Sequence, residues 1–572
     1  MTLREPQGAG DARPTTPIDA IAEEWVSTLV DLVPDVAIYI GVPGRTGEYG
    51  DLSPAGHDRL ADATRDLVRR LEGAEPVDAV DEVTKADLLA ESRLSLEAHD
   101  ARLHLRDLNV IASPAQEIRE SFDLMPTASA DDWATIAERL GNLPGAVAGY
   151  VETLRSGIAE GVVPAKRQVG EVAEQARRNG RTDGFFAEFT GGAALDSGEL
   201  PESLRSDLAR GADAAAAAYR DLADFLETEL LPAASDRDGV GRELYALRSR
   251  HFLGAEIDLD ETYEWGIGEL ERMIDEQTRV ADEVLPGASV EQAVAHLEKD
   301  ASRKLHGTDA LKAWMQELSD RVVDELGRTH FDIPAPVRAL ECMIAPTQDG
   351  GIYYTGPSDD FSRPGRMWWS VPEGVTEFDT WREKTTVFHE GVPGHHLQIG
   401  QAVYNRAELN TWRRQLAGTS GHAEGWALYA ERLMEELGYL DDPADRLGML
   451  DGQRMRAARV VLDIGVHLGK PKPRIRGLED LASDGVWDAD FALEFMRRNV
   501  NMDDAFVRFE VNRYLGWPGQ APSYKVGQRI WEQIRDDAQR RAGSAFSFRD
   551  FHKHALDLGG VGLDTLRTAL AP

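Results

Sequence analysis

The chain has 572 residues, and its 63 Lys and Arg against 100 Asp and Glu give a formal net charge of -37. Such an acidic surface repels nucleic-acid phosphates and anionic lipid headgroups, so we expect no nucleic-acid partner and no membrane partner. The one cysteine, Cys342, excludes an intrachain disulfide and a zinc site built from several thiolates.

Residues 1–17 are polar and contain several Gly, Pro and acidic residues, a composition that predicts a disordered tail. They lack the basic start and apolar stretch of a signal peptide. No apolar run in the chain approaches the ~20 residues that span a bilayer. We therefore expect a cytoplasmic protein.

From residue 18 to residue 333 the pattern is helical. Ile21, Trp25, Leu29 and Leu32 recur at helical spacing, and the alanine run 214–218 lies in a strongly helix-forming stretch. These apolar stripes are typical of helices that pack on one another. The sequence therefore predicts a helical N-terminal part over 18–333.

Pro334 and Pro336 mark the end of the helical sequence pattern. Short β-branched and aromatic runs bounded by Gly and Pro then predict a few strands within 339–371, and the helical pattern resumes at Thr380. We expect a mainly α, large helical bundle-like fold. Residues 334–572 would form the part that carries a small β insert and the chemistry.

Three histidines fall within eight positions, in the run His389-Glu390-Gly391-Val392-Pro393-Gly394-His395-His396. Zinc sites for catalysis use three protein ligands, and in the common H-E-x-x-H pattern the Glu beside the first ligand is the general base. This pattern predicts His389 as a ligand of a zinc ion (Zn2+) and Glu390 as the base.

The second ligand does not follow the common spacing, because position 393 is proline. Pro393 cannot donate a helical hydrogen bond, so we expect a local bulge that turns a later histidine back toward His389. We favour His395, since a Gly-His ending is frequent in zinc-helix motifs, and keep His396 as the alternative.

The third ligand is expected on a following helix. Glu424 flanks an apolar stripe near the start of such a helix, where a carboxylate is unusual unless it is paired or binds a metal. His422 and Glu431 are the alternatives.

These blocks resemble the bacterial family known as domain of unknown function 885. The resemblance rests on the runs 389–398 and 424–431, extends through 459–467, 510–514 and 518–524, and weakly reaches 106–109. That family is grouped with gluzincin-like metallopeptidases and is similar to helical thermostable carboxypeptidases and to dipeptidyl peptidase III. The resemblance implies a metallopeptidase fold with its β element near an active-site groove.

Further roles follow from the resemblance. Tyr524 and Tyr514 lie in family-like blocks, and either hydroxyl suits the stabilisation of a developing oxyanion. Arg459 and Arg513, together with Arg456, could hold a substrate carboxylate.

Other side chains could complete the site. We place His396 and Tyr354 among the substrate-binding residues. Tyr354 lies in the stretch 351–354, which could be an edge strand that pairs with an extended peptide. The resemblance alone makes Asp463 and His467 candidates for orienting the metal ligands.

We therefore expect a zinc-dependent metallopeptidase that acts on a peptide or small amide substrate, with carboxypeptidase action favoured. Two other classes remain open: a non-haem iron enzyme, which also uses two histidines and a carboxylate, and a helical binding protein with a degenerate metal site. The sequence does not define the oligomeric state.

Overall fold

The structure is a computed structural model that describes residues 13–196, 198–345 and 351–571. Helices account for 68% of it and strands for 4%, so the prediction of a mainly α protein is confirmed. Within the described ranges, no helix combines the length and apolar character needed to cross a membrane.

The tail predicted over 1–17 lies mostly outside these ranges, and its last residues are ordered by contacts. The guanidinium of Arg13 forms ion pairs with Asp19, Asp78 and Asp81, and its backbone N–H donates to the carbonyl of Ala407. The prediction was therefore too long at its C-terminal end, because a basic residue there meets a cluster of carboxylates.

The first ten helices surround two apolar cores. They are α1 Pro17–Leu32, α2 Asp35–Ile40, α3 Pro54–Gly73, α4 Ala79–Asp100, α5 Pro114–Leu124, α6 Ala130–Glu160, α7 Lys166–Asn179, α8 Phe185–Gly191, α9 Glu202–Phe225 and α10 Leu231–Ala233. A small core joins α1, α3 and α4, and a larger one lies among α5 to α9. The helical N-terminal prediction holds for this region.

The remaining helices share one large core that extends from Tyr245 to Leu566, except α17, whose Trp412 joins the small core of α1, α3 and α4. They are α11 Arg242–Leu253, α12 Leu259–Val284, α13 Val290–Leu297, α14 Thr308–Thr329, α15 Thr380–Glu390, α16 His395–Tyr404, α17 Thr411–Gln415, α18 Ser420–Glu436, α19 Pro443–Leu468, α20 Ala489–Arg497, α21 Asp504–Gly516, α22 Gln520–Ala542, α23 Phe548–Asp557 and α24 Leu563–Ala569. The boundary predicted at residue 333 therefore falls inside a core. The prolines mark a change of element there rather than a change of packing unit.

The strands form two small sheets. They are β1 Lys304–His306, β2 Leu340–Ile344, β3 Ile352–Thr355, β4 Gly365–Trp369 and β5 Glu377–Asp379. The β2–β4 pair is parallel and the β4–β3 pair antiparallel, which leaves β3 at an edge of this sheet, while β1 pairs with β5. The predicted β insert is present, but the sequence pattern does not predict β1 or β5, both of which lie outside residues 339–371.

Helices α18 and α22 approach each other backbone to backbone. A Cβ atom added at Gly425 would lie 2.4 Å from the carbonyl carbon of Gly527, and one added at Gly527 would lie 2.3 Å from the carbonyl oxygen of Gly421. These glycines allow the close approach. The crossing fixes Glu424 on α18 relative to Tyr524 on α22.

Replacing Gly425 with alanine forces these helices apart, so we expect a loss of about 2 kcal/mol in unfolding free energy. Urea denaturation measures it. The matched control is Gly268→Ala on α12, where an added Cβ meets no atom within 4 Å. The control should gain about 0.5 kcal/mol, since alanine favours helix. Equal effects of the two substitutions would contradict the close approach.

Candidate metal centre

The predicted bulged helix is two helices. Helix α15 ends at Glu390, a four-residue turn follows, and α16 begins at His395. Gly391 donates to the carbonyl of Val387 at 2.9 Å, and Gly394 donates to that of Phe388 at 3.1 Å. A Cβ at Gly394 would lie 1.9 Å from the carbonyl oxygen of His389, so the turn folds too tightly against α15 for a side chain there.

The turn brings three candidate ligands together. The Oε2 atom of Glu424 lies 3.3 Å from Nε2 of His389 and 3.6 Å from Nε2 of His395. The two imidazole rings are perpendicular, with centroids 4.9 Å apart. Ligand atoms that bind one tetrahedral zinc at ~2.0–2.1 Å are ~3.3 Å from one another. The Glu424 oxygen therefore lies at about this spacing from each histidine nitrogen.

A second grouping is also compact, because His389, Glu390 and His395 offer ligand atoms that all lie within 4.8 Å of one another. We favour Glu424 over Glu390 as the third ligand, since one Glu424 oxygen contacts both Nε2 atoms. That oxygen is buried and has no other hydrogen-bond partner among the described residues. Glu390 is then left free beside the three ligands.

Carboxylates surround the two histidines, and the pKa values of these carboxyls and of His389 are shifted. Burial would lower the pKa of His389, but Glu424 and Glu431 raise it to about 10. Burial would raise the pKa of the Glu424 carboxyl, but His389 and His395 hold it well below its ordinary value. Burial raises the pKa of Glu390, and His395 and His389 oppose that rise. The histidines therefore lie among carboxylates, as the ligands of a cation do.

Helix α18 contacts both the turn between α15 and α16 and the side chain of His389. The indole N–H of Trp426 donates to the carbonyls of Pro393, at 2.8 Å, and Gly394, at 3.2 Å. Nδ1 of His389 lies 2.8 Å from Oε1 of Glu431, two turns along α18 from Glu424. A carboxylate on Nδ1 leaves Nε2 free to bind a metal.

A buried polar chain fixes Glu431 in turn. The amide of Gln453 donates to Glu431 at 3.1 Å, and Nζ of Lys525 donates to the amide oxygen of Gln453 at 2.6 Å. Lys525 also pairs with Glu269 at 2.9 Å. Glu431 was an alternative ligand in the sequence analysis, and the structure places it behind His389 instead.

His396 is engaged away from the centre. Its Nε2 donates to the carbonyl of Val337 at 2.7 Å, and its Nδ1 accepts from the hydroxyl of Tyr354 at 2.9 Å. Burial lowers the pKa of His396 to about 4, so the ring is neutral near pH 7. His396 is therefore not the second ligand, and both of its ring nitrogens are engaged, which leaves no free polar atom for its predicted substrate-binding role. The role predicted for Tyr354 on the edge strand β3 would use main-chain groups, and it stays a prediction.

Two of the predicted carboxylate-binding arginines already hold a carboxylate. Arg459 donates to Glu510 and to the hydroxyl of Tyr514, each at 2.6 Å, and Arg513 donates to Glu510 at 3.0 Å. Tyr514 is fully buried and donates to the same Glu510. The substrate roles predicted for Arg459 and Arg513 and the catalytic role predicted for Tyr514 are corrected to a buried ion-pair cluster.

The hydroxyl of Tyr524, unlike that of Tyr514, is available to donate a hydrogen bond to a ligand. Its hydroxyl has no hydrogen-bond partner within the described ranges, and the guanidinium of Arg459 lies 5.2 Å from its ring centroid. Burial and the nearby Glu424 raise the pKa of Tyr524, so the phenol keeps its proton at neutral pH. Tyr524 is thus a protonated donor beside the candidate ligands.

Three other predicted residues lie elsewhere. Asp463 accepts from the hydroxyl of Tyr245 and from the N–H of Gly519, and His467 contacts the carbonyl of Tyr514. Neither orients a ligand, so that prediction is wrong. His422, an alternative third ligand, contacts Gln398 and packs against Trp531.

The sequence analysis missed the supporting side chains Trp426, Gln453 and Lys525. Trp426 could have been found, because it lies two positions after Glu424 in the motif-like run. Gln453 and Lys525 lie on separate helices and carry no local signal.

The chain belongs to the family described as "Bacterial protein of unknown function (DUF885)", whose model matches residues 34–570. No curated protein matches. A candidate lipoprotein from Colwellia psychrerythraea has a similar crystal structure, with a TM-score of 0.83, 22% identity, and coverage of 97% of this chain and 98% of that one.

A candidate lipoprotein of unknown function from Shewanella oneidensis is also similar, with a TM-score of 0.73 and 16% identity. The match covers 96% of this chain and 99% of that one. These two similarities establish a shared fold.

The buried Glu510 makes stability depend on pH. Burial would raise the pKa of Glu510 above its ordinary 4.5, but Arg459 and Arg513 lower it to about 2. A depressed carboxyl pKa stabilises the fold above the unfolded value, and that contribution disappears as pH falls from about 4.5 to about 2.

We therefore expect Glu510→Gln to reduce the unfolding free energy more at pH 7 than at the acid end, by roughly 3 kcal/mol over the whole window. Chemical denaturation from pH 7 to pH 3 measures most of that change. Glu494→Gln is the control, because Glu494 is exposed and its oxygen lies 3.6 Å from Arg497. A stability deficit that stays constant with pH in Glu510→Gln would refute the account.

Proposed function

We propose that this chain is a zinc-dependent hydrolase of peptide or small amide bonds. His389, His395 and Glu424 would hold the ion, and Glu390 would act as the general base. The observation that carries the proposal is the approach of one Glu424 oxygen to both histidine Nε2 atoms, with a free carboxylate at Glu390.

The donor set suits zinc. Two imidazole nitrogens and one carboxylate oxygen match the His2Glu ligands of catalytic zinc sites, which keep a fourth position open. The Glu431 contact with Nδ1 of His389 adds the carboxylate that such histidines usually have. A bound zinc would supply Lewis acidity, which lowers the pKa of a water molecule and polarises a carbonyl.

The remaining steps belong to side chains of this chain. Glu390 would take the proton of the attacking water and pass it to the leaving amine, as its raised pKa and its place beside His389 suit. Tyr524, with its free hydroxyl, would donate to the carbonyl oxygen as negative charge develops there. Glu431 would hold His389 in one tautomer throughout.

The family resemblance adds a gluzincin-like metallopeptidase fold with a substrate groove to this proposal. Support comes from β3, which lies at a sheet edge and packs near α15. An extended peptide could pair with that edge by main-chain hydrogen bonds.

Two rival functions are less well supported. A non-haem iron enzyme would use the same ligands, but it gives no role to the buried Glu390. A helical binding protein with a degenerate site would not need the ligands, the base and the Glu431 contact together. The metal that copurifies with the protein separates the three: zinc, iron or none.

The location is a separate proposal. We retain the cytoplasm as the prediction, with no nucleic-acid or membrane partner, while the naming of both similar structures as candidate lipoproteins makes a lipid-anchored location the alternative. Cell fractionation decides between them.

Zinc affinity should fall in a graded series of Glu→Gln variants. Glu424→Gln removes a ligand and should lose zinc, whereas Glu431→Gln removes only the support of His389 and should weaken binding about 10–100-fold. Glu390→Gln should retain zinc. The control is Glu436→Gln at the exposed end of α18. Chelator competition with elemental analysis measures the series, and full zinc binding by Glu424→Gln would exclude it as a ligand.

Activity should follow Glu390. We expect the zinc-loaded protein to cleave members of a short-peptide library, as detected by mass spectrometry, and Glu390→Gln to be at least about 100-fold slower. Zinc retention by that variant shows that the base, and not the ion, was removed. No cleavage by the wild-type protein would remove peptide hydrolysis from the proposal.

A further inference from the structure

One arginine beside the metal centre has no partner. Arg456 lies on α19, one turn before Arg459, and among the described residues no carboxylate lies within ion-pair distance of its guanidinium and no atom accepts a hydrogen bond from it. Its Nε atom is buried and unpaired. The neighbouring buried arginines differ, since Arg459 pairs with Glu510 and Arg432 with Glu276.

The position of Arg456 is built into its helix. A Cβ atom at Gly452 would lie 2.7 Å from Nη1 of Arg456, so the glycine one turn earlier leaves room for the guanidinium to lie along α19. Arg456 lies three residues after Gln453, which donates to Glu431 behind His389, and three residues before Arg459, whose guanidinium lies 5.2 Å from the ring centroid of Tyr524. Residues three apart share a helix face, so Arg456 lies on the face of α19 that is turned toward the candidate metal centre.

The nearby carboxylates do not form an ion pair with Arg456. Both oxygens of Glu431 are already bonded, to His389 and to Gln453. Glu390 lies beyond ion-pair distance of Arg456. The side chain of Arg456 is partly buried and its donors are free among the described residues, and a planar guanidinium matches a carboxylate through two parallel hydrogen bonds. The free fork of Arg456 is therefore suited to an anionic group that arrives with a ligand.

On the basis of the proposed peptidase activity, we propose that Arg456 binds the free C-terminal carboxylate of a short peptide and so directs cleavage to bonds near that terminus. The terminal carboxylate fits better than an acidic side chain. A chain with a net charge of -37 repels strongly acidic peptides, whereas every unmodified peptide carries one terminal carboxylate.

The test compares the same short peptides as free acids and as C-terminal amides. We expect the zinc-loaded wild-type protein to cleave the acids with at least about tenfold higher kcat/KM. Arg456→Gln should lower kcat/KM for the acids about 10–100-fold, mainly through KM, and change the amides little. Arg456→Lys should restore part of the preference, because it keeps the charge and loses the fork.

The matched control is Arg446→Gln, ten residues earlier on α19, where the side chain pairs with Glu283 at the surface. It should preserve the preference for acids. Circular dichroism and zinc content confirm that each variant is folded and loaded. Equal cleavage of acids and amides by the wild-type protein would overturn the proposal. An equal loss of kcat on acids and amides in Arg456→Gln would also overturn the proposal, because it would indicate a role of Arg456 in the reaction itself.

A binding measurement separates this inference from the proposed function. If the wild-type protein cleaves neither form, the hydrolase proposal fails, and Arg456 is judged by retention of the same peptides during ultrafiltration. Glu390→Gln should retain acids over amides, and Glu390→Gln with Arg456→Gln should lose that preference. Equal retention of acids and amides by the first variant would refute the carboxylate site.

Discussion

The hydrogen bond from the Trp426 indole to the carbonyls of Pro393 and Gly394 is the contact on which the site geometry depends. The turn between α15 and α16 buries the side chain of Val392, and its two carbonyls at Pro393 and Gly394 accept from Trp426 immediately before His395. Trp426 is fully buried and belongs to the helix that carries Glu424. One helix therefore sets the turn and supplies the carboxylate that faces both histidines.

Two sets of contacts hold α18 and His389 in place. The glycine contact with α22 positions α18, and the hydrogen bonds from Lys525 to Gln453 and from Gln453 to Glu431 position the carboxylate that contacts His389. Several buried charges in this region are paired with one another, as low polarity requires. Glu390 and Arg456 have no ion-pair partner among the described residues, and these are the groups that we propose act on a substrate.

The helical class and the grouping of His389, His395 and Glu424 could be predicted from the sequence, since both depend on local patterns. Periodic apolar residues predict helices, and His389, His395 and Glu424 lie in two short runs. The contacts of Arg459, Arg513 and Tyr514 could not be predicted, because tertiary packing brings their partner Glu510 to them. From the sequence, Arg456, Arg459 and Arg513 have the same candidate role, and only the structure shows that Arg456 lacks the carboxylate partner that the other two have. The boundary at residue 333 has the same limit, because prolines determine the local backbone conformation and not which surfaces pack together.

The central claim is that one zinc ion binds His389, His395 and Glu424. The most direct measurement is a crystal structure of the zinc-loaded protein with anomalous diffraction recorded on both sides of the zinc absorption edge. The account predicts one strong anomalous peak, bonded to Nε2 of both histidines and to the Glu424 carboxylate, with Glu390 outside bonding distance. A peak bonded to Glu390 in place of Glu424, or no peak between the histidines, would contradict it.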